Sequence, residues 1–309
     1  MKIQFRPVSE KYSDYTLAAL AGILGFLAVM KYGNRSFQPV ASIIFDGGYK
    51  TFIGELPFVD FFSSQGVMQS LLQGPFFYLF GVNWNAYVIH AATANLIFIL
   101  VCYALFKLIK LGRLQSFVYS FCSGLLFYVP HGWPHPDKHG ALFGLLIIWL
   151  QVLGLNSKNV SRVRFYYFAV PILYFMGLLS KAVPIGLIAP LSLFLLLITS
   201  PKLRWSAFQG VIYGTSSLTA ILLVIELLEP GVSWSIIYYT IILPLDEASN
   251  RLGVGLTPFA IFNLYTVSPR TPVIAVGMIA ATIWVFWSET PRRVDPEYMS
   301  KVMAPFVIG

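Results

Sequence analysis

Residues 84–106 read WNAYVIHAATANLIFILVCYALF, an unbroken apolar run with no charged side chain and one histidine, His90. A bilayer's hydrocarbon core takes roughly 20 such residues as a helix. Only a helix or a closed barrel satisfies every backbone group in lipid. Runs of similar length lie on both sides of this one, at Thr16–Gly33, Leu114–His131, Gly140–Asn156, Phe165–Lys181, Val183–Ser200, Phe208–Leu228 and Thr271–Trp287. The expected fold is all-α: a polytopic transmembrane helical bundle of about eight spans. Three shorter apolar stretches, Val67–Phe80, Ser233–Leu245 and Leu256–Tyr265, are interrupted by Pro, Gln or Gly. They read as interfacial or re-entrant helices, and the first of them places membrane-parallel structure in the first outer loop.

Composition agrees. The 309 residues are 57% hydrophobic and 11% charged, with mean hydropathy +0.72. Soluble domains carry about 25% charged residues, so an ordinary cytosolic fold is excluded. Tyr and Trp crowd the run ends, as interfacial belts require. The net charge of +8 does not point to nucleic acid, because the basic residues sit in short clusters between apolar runs. Cys102 and Cys122 lie inside apolar runs, which argues against a disulfide framework. The polar start, Met1 to Asp14, leads into a run without a small-residue cleavage site, so that run reads as a retained anchor.

The basic clusters also give an orientation. With the N-terminus in the cytoplasm, fourteen of the 21 Lys and Arg face inward, among them Lys107, Lys110, Arg113, Lys158, Arg162, Arg164, Lys202 and Arg204. Lys31, Arg35, Lys50, Lys138, Lys181, Arg251 and Arg270 face outward. Residues 1–309 then form one transmembrane domain with a large outer loop over residues 34–83. Ending at Pro305–Gly309, partway into a new apolar run, the sequence reads as a fragment or a short member of its kind.

The outer loop carries Asp46-Gly47-Gly48-Tyr49-Lys50, then Gly54-Glu55-Leu56-Pro57-Phe58-Val59-Asp60-Phe61-Phe62-Ser63-Ser64-Gln65-Gly66. A carboxylate at a bilayer–water boundary can act as general base on an acceptor hydroxyl, or hold a divalent cation that offsets phosphate charge. It can equally be a solvated loop acid, or the cap of a membrane-parallel helix beginning near Tyr49.

The order of a short tail, a first span, an early loop acid, Gly-x-x-Pro-aromatic-x-Asp-Phe-Phe, a short helix ending Leu79-Phe80-Gly81 and a long second span resembles the GT-C superfamily. These are polyprenyl-phosphate-sugar-dependent glycosyltransferases, including the protein O-mannosyltransferase and aminoarabinose-transferase branches. The resemblance covers Thr16 to about Ser200. It implies sugar transfer from a polyprenyl-phosphate carrier to a hydroxyl of a glycan, lipid or protein acceptor. The reaction would take place at the outer face of a membrane, the bacterial inner membrane fitting best. It also implies that Asp46 is the catalytic or metal-binding acid, with Mg or Mn as the divalent ion, and that Asp60 is a second acid of the loop. Many relatives carry Lys-Pro-Pro before the short helix, where this chain has Ser64-Gln65-Gly66-Val67, so the phosphate partner must lie elsewhere. Leu178-Leu179-Ser180-Lys181-Ala182-Val183-Pro184 is similar to the family's Leu-Thr-Lys-Gly element, which implies Lys181, with Lys50 and Lys138 as further candidates.

The second outer loop, His131-Gly132-Trp133-Pro134-His135-Pro136-Asp137-Lys138-His139, invites a Zn or Mn reading. Pro134 and Pro136 disrupt the helical face that its histidines would share. A turn offering Asp137, Lys138 or His139 to substrate or phosphate, or an inert loop, are the other readings. His90 within a span is a functional candidate that more commonly bonds a neighbouring helix. Glu226, Glu229, Asp246, Glu247 and Arg251 could border an acceptor groove. No Gly-rich phosphate cradle, Walker sequence or Ser-His-Asp order is present. Two rival functions stand beside sugar transfer. A secondary transporter or lipid-linked-glycan flippase would need midplane polar residues or broken helices, and a non-catalytic scaffold would leave the loop acids incidental.

Overall fold

The structure, a computed structural model, describes residues 8–33, 39–62 and 66–243. Its helices are α1 (Val8–Gly33), α2 (Pro39–Phe52), α3 (Met68–Phe80), α4 (Trp84–Leu108), α5 (Arg113–Phe127), α6 (Pro136–Asn156), α7 (Val160–Ser180), α8 (Ala182–Leu197), α9 (Pro201–Leu228) and α10 (Val232–Ile237), followed by a π-helical turn at Tyr238–Ile242. Among the described residues the chain is otherwise loops, with one isolated bridge between Pro57 and Phe61.

Among the described residues, five helical segments are long and apolar enough to cross a membrane: Ser13–Gly33, Trp84–Leu108, Pro136–Asn156, Val160–Ser180 and Pro201–Leu228. Two of the expected spans are shorter than anticipated. α5 has 15 residues and α8 has 16, or about 23–24 Å at 1.5 Å per residue, against a hydrocarbon core of about 30 Å. α5 stops ahead of Pro130, and α8 at Leu197, ahead of Pro201; proline disfavours helix in the residue before it. The expected elements Thr271–Trp287 and Leu256–Tyr265, with Asp246, Glu247, Arg251 and Arg270, lie outside the described residues. In the first loop the expectation of a helix beginning near Tyr49 is corrected: α2 starts ten residues earlier, at Pro39, and Tyr49 lies near its end.

Local sequence explains the helix ends. Asn83 Oδ1 accepts from the Ala86 backbone N–H at 2.9 Å to start α4, and Asn159 Oδ1 accepts from Arg162 N–H at 3.1 Å to start α7. Each supplies an acceptor for an otherwise orphan donor. Pro136 and Pro201 open α6 and α9, where a missing N–H costs nothing. Short connectors join successive helices from α3 onward. The shortest is Lys181 alone, extended between α7 and α8 at φ −164° and ψ 121°.

Lipid offers no hydrophobic drive between helices, so close packing and hydrogen bonds must hold the bundle. The seam between α7 and α9 shows how. A Cβ at Gly210 would lie 2.4 Å from the Arg164 carbonyl oxygen, and one at Gly214 would lie 2.3 Å from that of Phe168. Two glycines four residues apart thus let α9 rest on the α7 backbone. One end of the bundle is tied by charge. Asp14 Oδ1 of α1 lies 3.6 Å from Lys107 Nζ of α4 and 3.2 Å from Arg113 Nε of α5, and accepts from Tyr103 OH at 3.3 Å. At the other end Gly33 meets Gly132, whose φ of +68° and absent Cβ allow a contact that any side chain would block.

Candidate functional site

The far end of the bundle, opposite Asp14, gathers most of the residues singled out in the sequence. α2 lies across α3 and the start of α4. Ala41, Ile44, Gly47 and Gly48 are buried, Tyr87 OH donates to the Ala41 carbonyl at 3.0 Å, and Phe45 meets Phe77 edge-on at 4.9 Å. That packing turns the other face of α2 outward. Asp46 is 62% exposed there, with Lys50 Nζ 3.5 Å from its Oδ2, one helical turn on. Lys50 also lies 5.5 Å from the Phe61 ring centre. Asp60 serves its own turn, its Oδ2 accepting from the Leu56 backbone N–H at 2.7 Å beside Phe58 at φ +68°.

Lys181 sits on α6. A Cβ at Gly140 would be 3.3 Å from the Lys181 carbonyl oxygen and 3.6 Å from its Cβ. Gly66, at the entry to α3, lies against the Ser180 carbonyl. The loop carrying the acids therefore abuts the junction carrying Lys181, although no ion pair joins Asp46 or Asp60 to Lys181 among the described residues.

Of the second loop, Asp137 and Lys138 are half-buried in the first turn of α6, and Lys138 Nζ lies 5.2 Å from the Phe127 ring centre. His135 caps that helix, Nδ1 accepting from Asp137 N–H at 3.3 Å. Its pKa is lowered to about 4, first by burial, with Asp137 opposing and His131, Lys138 and Lys181 adding to the effect. Although Asp137 Oδ2 is only 3.5 Å away, His135 is therefore a neutral cap near pH 7 rather than half of an ion pair. His131 is lowered too, again chiefly by burial.

His139 is not at an open mouth. It is 1% exposed and belongs to a buried chain of four side chains from four parts of the fold. Tyr128 OH lies 2.6 Å from His139 Nδ1, His139 Nε2 lies 3.1 Å from His90 Nε2, and His90 Nδ1 lies 2.8 Å from Gln73 Oε1 of α3. Phe76 stacks on the His90 ring at 4.8 Å. All four histidines of the chain thus collect at this end, His131 and His135 with ring centres 4.8 Å apart. Among the described residues no three His, Cys, Asp or Glu converge as metal ligands, neither in the histidine loop nor around Asp46. Gln73 and the His90–His139 contact escaped the sequence reading. His90, an imidazole inside a span, and His139, in the second outer loop, each stood out in the sequence, though not as partners.

Compared with known proteins, the chain matches no family model, no curated protein and no solved structure.

Proposed function

We propose that the chain transfers a sugar from a polyprenyl-phosphate carrier to an acceptor hydroxyl at the outer face of a membrane. The observation that carries this reading is the single-ended arrangement. The outward Asp46–Lys50 pair and the Lys181 junction share one end of the bundle, and the Asp14–Lys107–Arg113 knot marks the other. An acid and several cations at one membrane boundary, beside helices that lipid can reach, fit a donor that arrives within the bilayer already activated.

In this reading the Asp46 carboxylate takes the acceptor's hydroxyl proton while the acceptor oxygen bonds to the anomeric carbon. The bond from that carbon to the carrier phosphate oxygen breaks, and polyprenyl phosphate leaves with the electron pair. Configuration inverts. Lys181, with Lys50 and Lys138 nearer the loop mouths, offsets the charge developing on the phosphate. Among the described residues no second and third acid or histidine stands beside Asp46, so no step here is assigned to Mg or Mn. Asp60, spent on its own turn, supports the loop's shape. The N-terminus then faces the cytoplasm.

The test is transfer from radiolabelled polyprenyl-phosphate sugars in membranes. Asp46→Asn is expected to lower transfer by roughly 100-fold or more, the usual range for loss of a general base, at unchanged expression and thermal stability. Full activity in a folded Asp46→Asn protein would remove Asp46 as the base. Gradient-driven uptake of label without product would favour a transporter.

A further inference from the structure

The buried chain ending at Gln73 leaves something over. A neutral imidazole has one donor and one acceptor, so the chain has two consistent proton arrangements. If Tyr128 donates to His139 Nδ1, His139 Nε2–H donates to His90 Nε2, and His90 Nδ1–H donates to Gln73 Oε1. If the order reverses, Gln73 must turn its amide nitrogen toward His90, and the Tyr128 proton goes unpaired in the core. The first arrangement satisfies more groups and is the one that buried polar atoms favour. Either way only one side of the Gln73 amide is used.

The other side, Nε2 in this structure, is buried without a partner among the described residues. One helical turn back on the same face of α3, Gln69 is 0% exposed, and neither its Nε2 nor its Oε1 has a partner among them. Leaving three amide atoms of two adjacent side chains unsatisfied is expensive. Met or Leu at position 69 would avoid most of that cost, since the buried Val67 and Met68 beside it in sequence already belong to an apolar cluster.

We propose that Gln69 and Gln73 form a binding site for an uncharged, hydroxyl-bearing group, with the Tyr128–His139–His90 chain holding Gln73 in the donor orientation. The free atoms are neutral amide donors and an acceptor, which match hydroxyls. A phosphate or ammonium would lose its hydration there without gaining an opposite charge. The face is closed in this structure, where α2 lies on Gln73 through Gly48, so occupancy requires α2 to draw back while the Gln73–His90 bond and the Phe76–His90 stack keep α3 on α4. This rests on the sugar-transfer reading for its natural occupant, the carrier's sugar. It narrows that sugar to an uncharged one.

The experiment uses the full chain in lipid nanodiscs, with octyl β-glucoside, octyl phosphate and octylamine as probes, each below its micelle threshold. Binding is read by shift in unfolding temperature and by equilibrium dialysis of tritiated octyl glucoside. The wild type is expected to bind octyl glucoside and to be stabilised by it alone. Gln69→Met, of equal length and apolar, is expected to raise the unliganded unfolding temperature by roughly 2–6 °C and to weaken octyl glucoside binding at least tenfold. Equal binding by Gln69→Met and wild type, or equal stabilisation by the charged probes, overturns the site and leaves Gln69 a hydrated core residue. Because no turnover is needed, a wild type that binds octyl glucoside yet transfers no sugar keeps the site and removes the transferase reading. Transfer that survives in Gln69→Met with unchanged donor KM removes the site alone.

Discussion

His135 shows how one side chain does two jobs on account of its surroundings. Its ring is the N-cap of α6, which requires the unprotonated Nδ1, and burial first, with neighbouring positive charge, keeps it unprotonated down to about pH 4. An unfolded histidine titrates near 6.5. Between those values the unfolded chain binds the extra proton and the folded one does not, so the stability contributed by His135 is whole above pH 6.5 and is lost as pH falls toward 4. His135→Asn keeps a capping acceptor without a titrating group. Thermal unfolding at pH 7, 6, 5 and 4 is expected to show the wild type losing its advantage over His135→Asn across that window, and a constant difference would refute the assignment. The roles of Asp60 and His139 were not readable from residue type and spacing. Asp60 bends back to a backbone N–H four residues away, and His139 finds its ring partner 49 residues away in sequence. Only the pairing of α4 with α6 decides the second.

Among the elements, the long apolar helices were legible because run length is a direct reading of bilayer thickness. α3 was legible too, within one residue at its start. α2 was not, since Asp46, Gly47, Gly48 and Lys50 dilute its apolar face and two of its contacts depend on those glycines meeting Ser70 and Gln73. The α7–α9 seam had a visible signal in Gly210-Val-Ile-Tyr-Gly214, a spacing that lets helices approach in membranes. Gly210→Leu must push α9 off the Arg164 carbonyl and the Tyr167 side chain. It is expected to lower stability by about 1–3 kcal/mol, the usual cost of overpacking a close contact. Leu at exposed Ile212, two residues on, should be neutral. Equal unfolding temperatures for the two variants would show that the seam is looser than its geometry.

At the scale of the molecule, the two ends differ in chemistry, and that difference predicts a direction in the membrane. Glu55→Cys, in the loop after α2, is expected to react with a membrane-impermeant maleimide in intact cells. Ser157→Cys, between α6 and α7, should react only after permeabilisation. The reverse pattern would place Asp46 and Lys181 in the cytoplasm and end the outer-face reading. The Asp14 knot at the opposite end has a separate bearing on biogenesis. α1 emerges from the ribosome first, yet its salt-bridge partners lie at the end of α4 and the start of α5, so α1 must wait while residues 34–113 are made. At roughly 5–20 residues per second that delay is about 4–16 s. Nothing charged interrupts α1 between Thr16 and Met30, so the helix can sit alone in lipid for that time. The knot can then close only after α4 and α5 have been inserted, which makes it a late checkpoint on correct assembly.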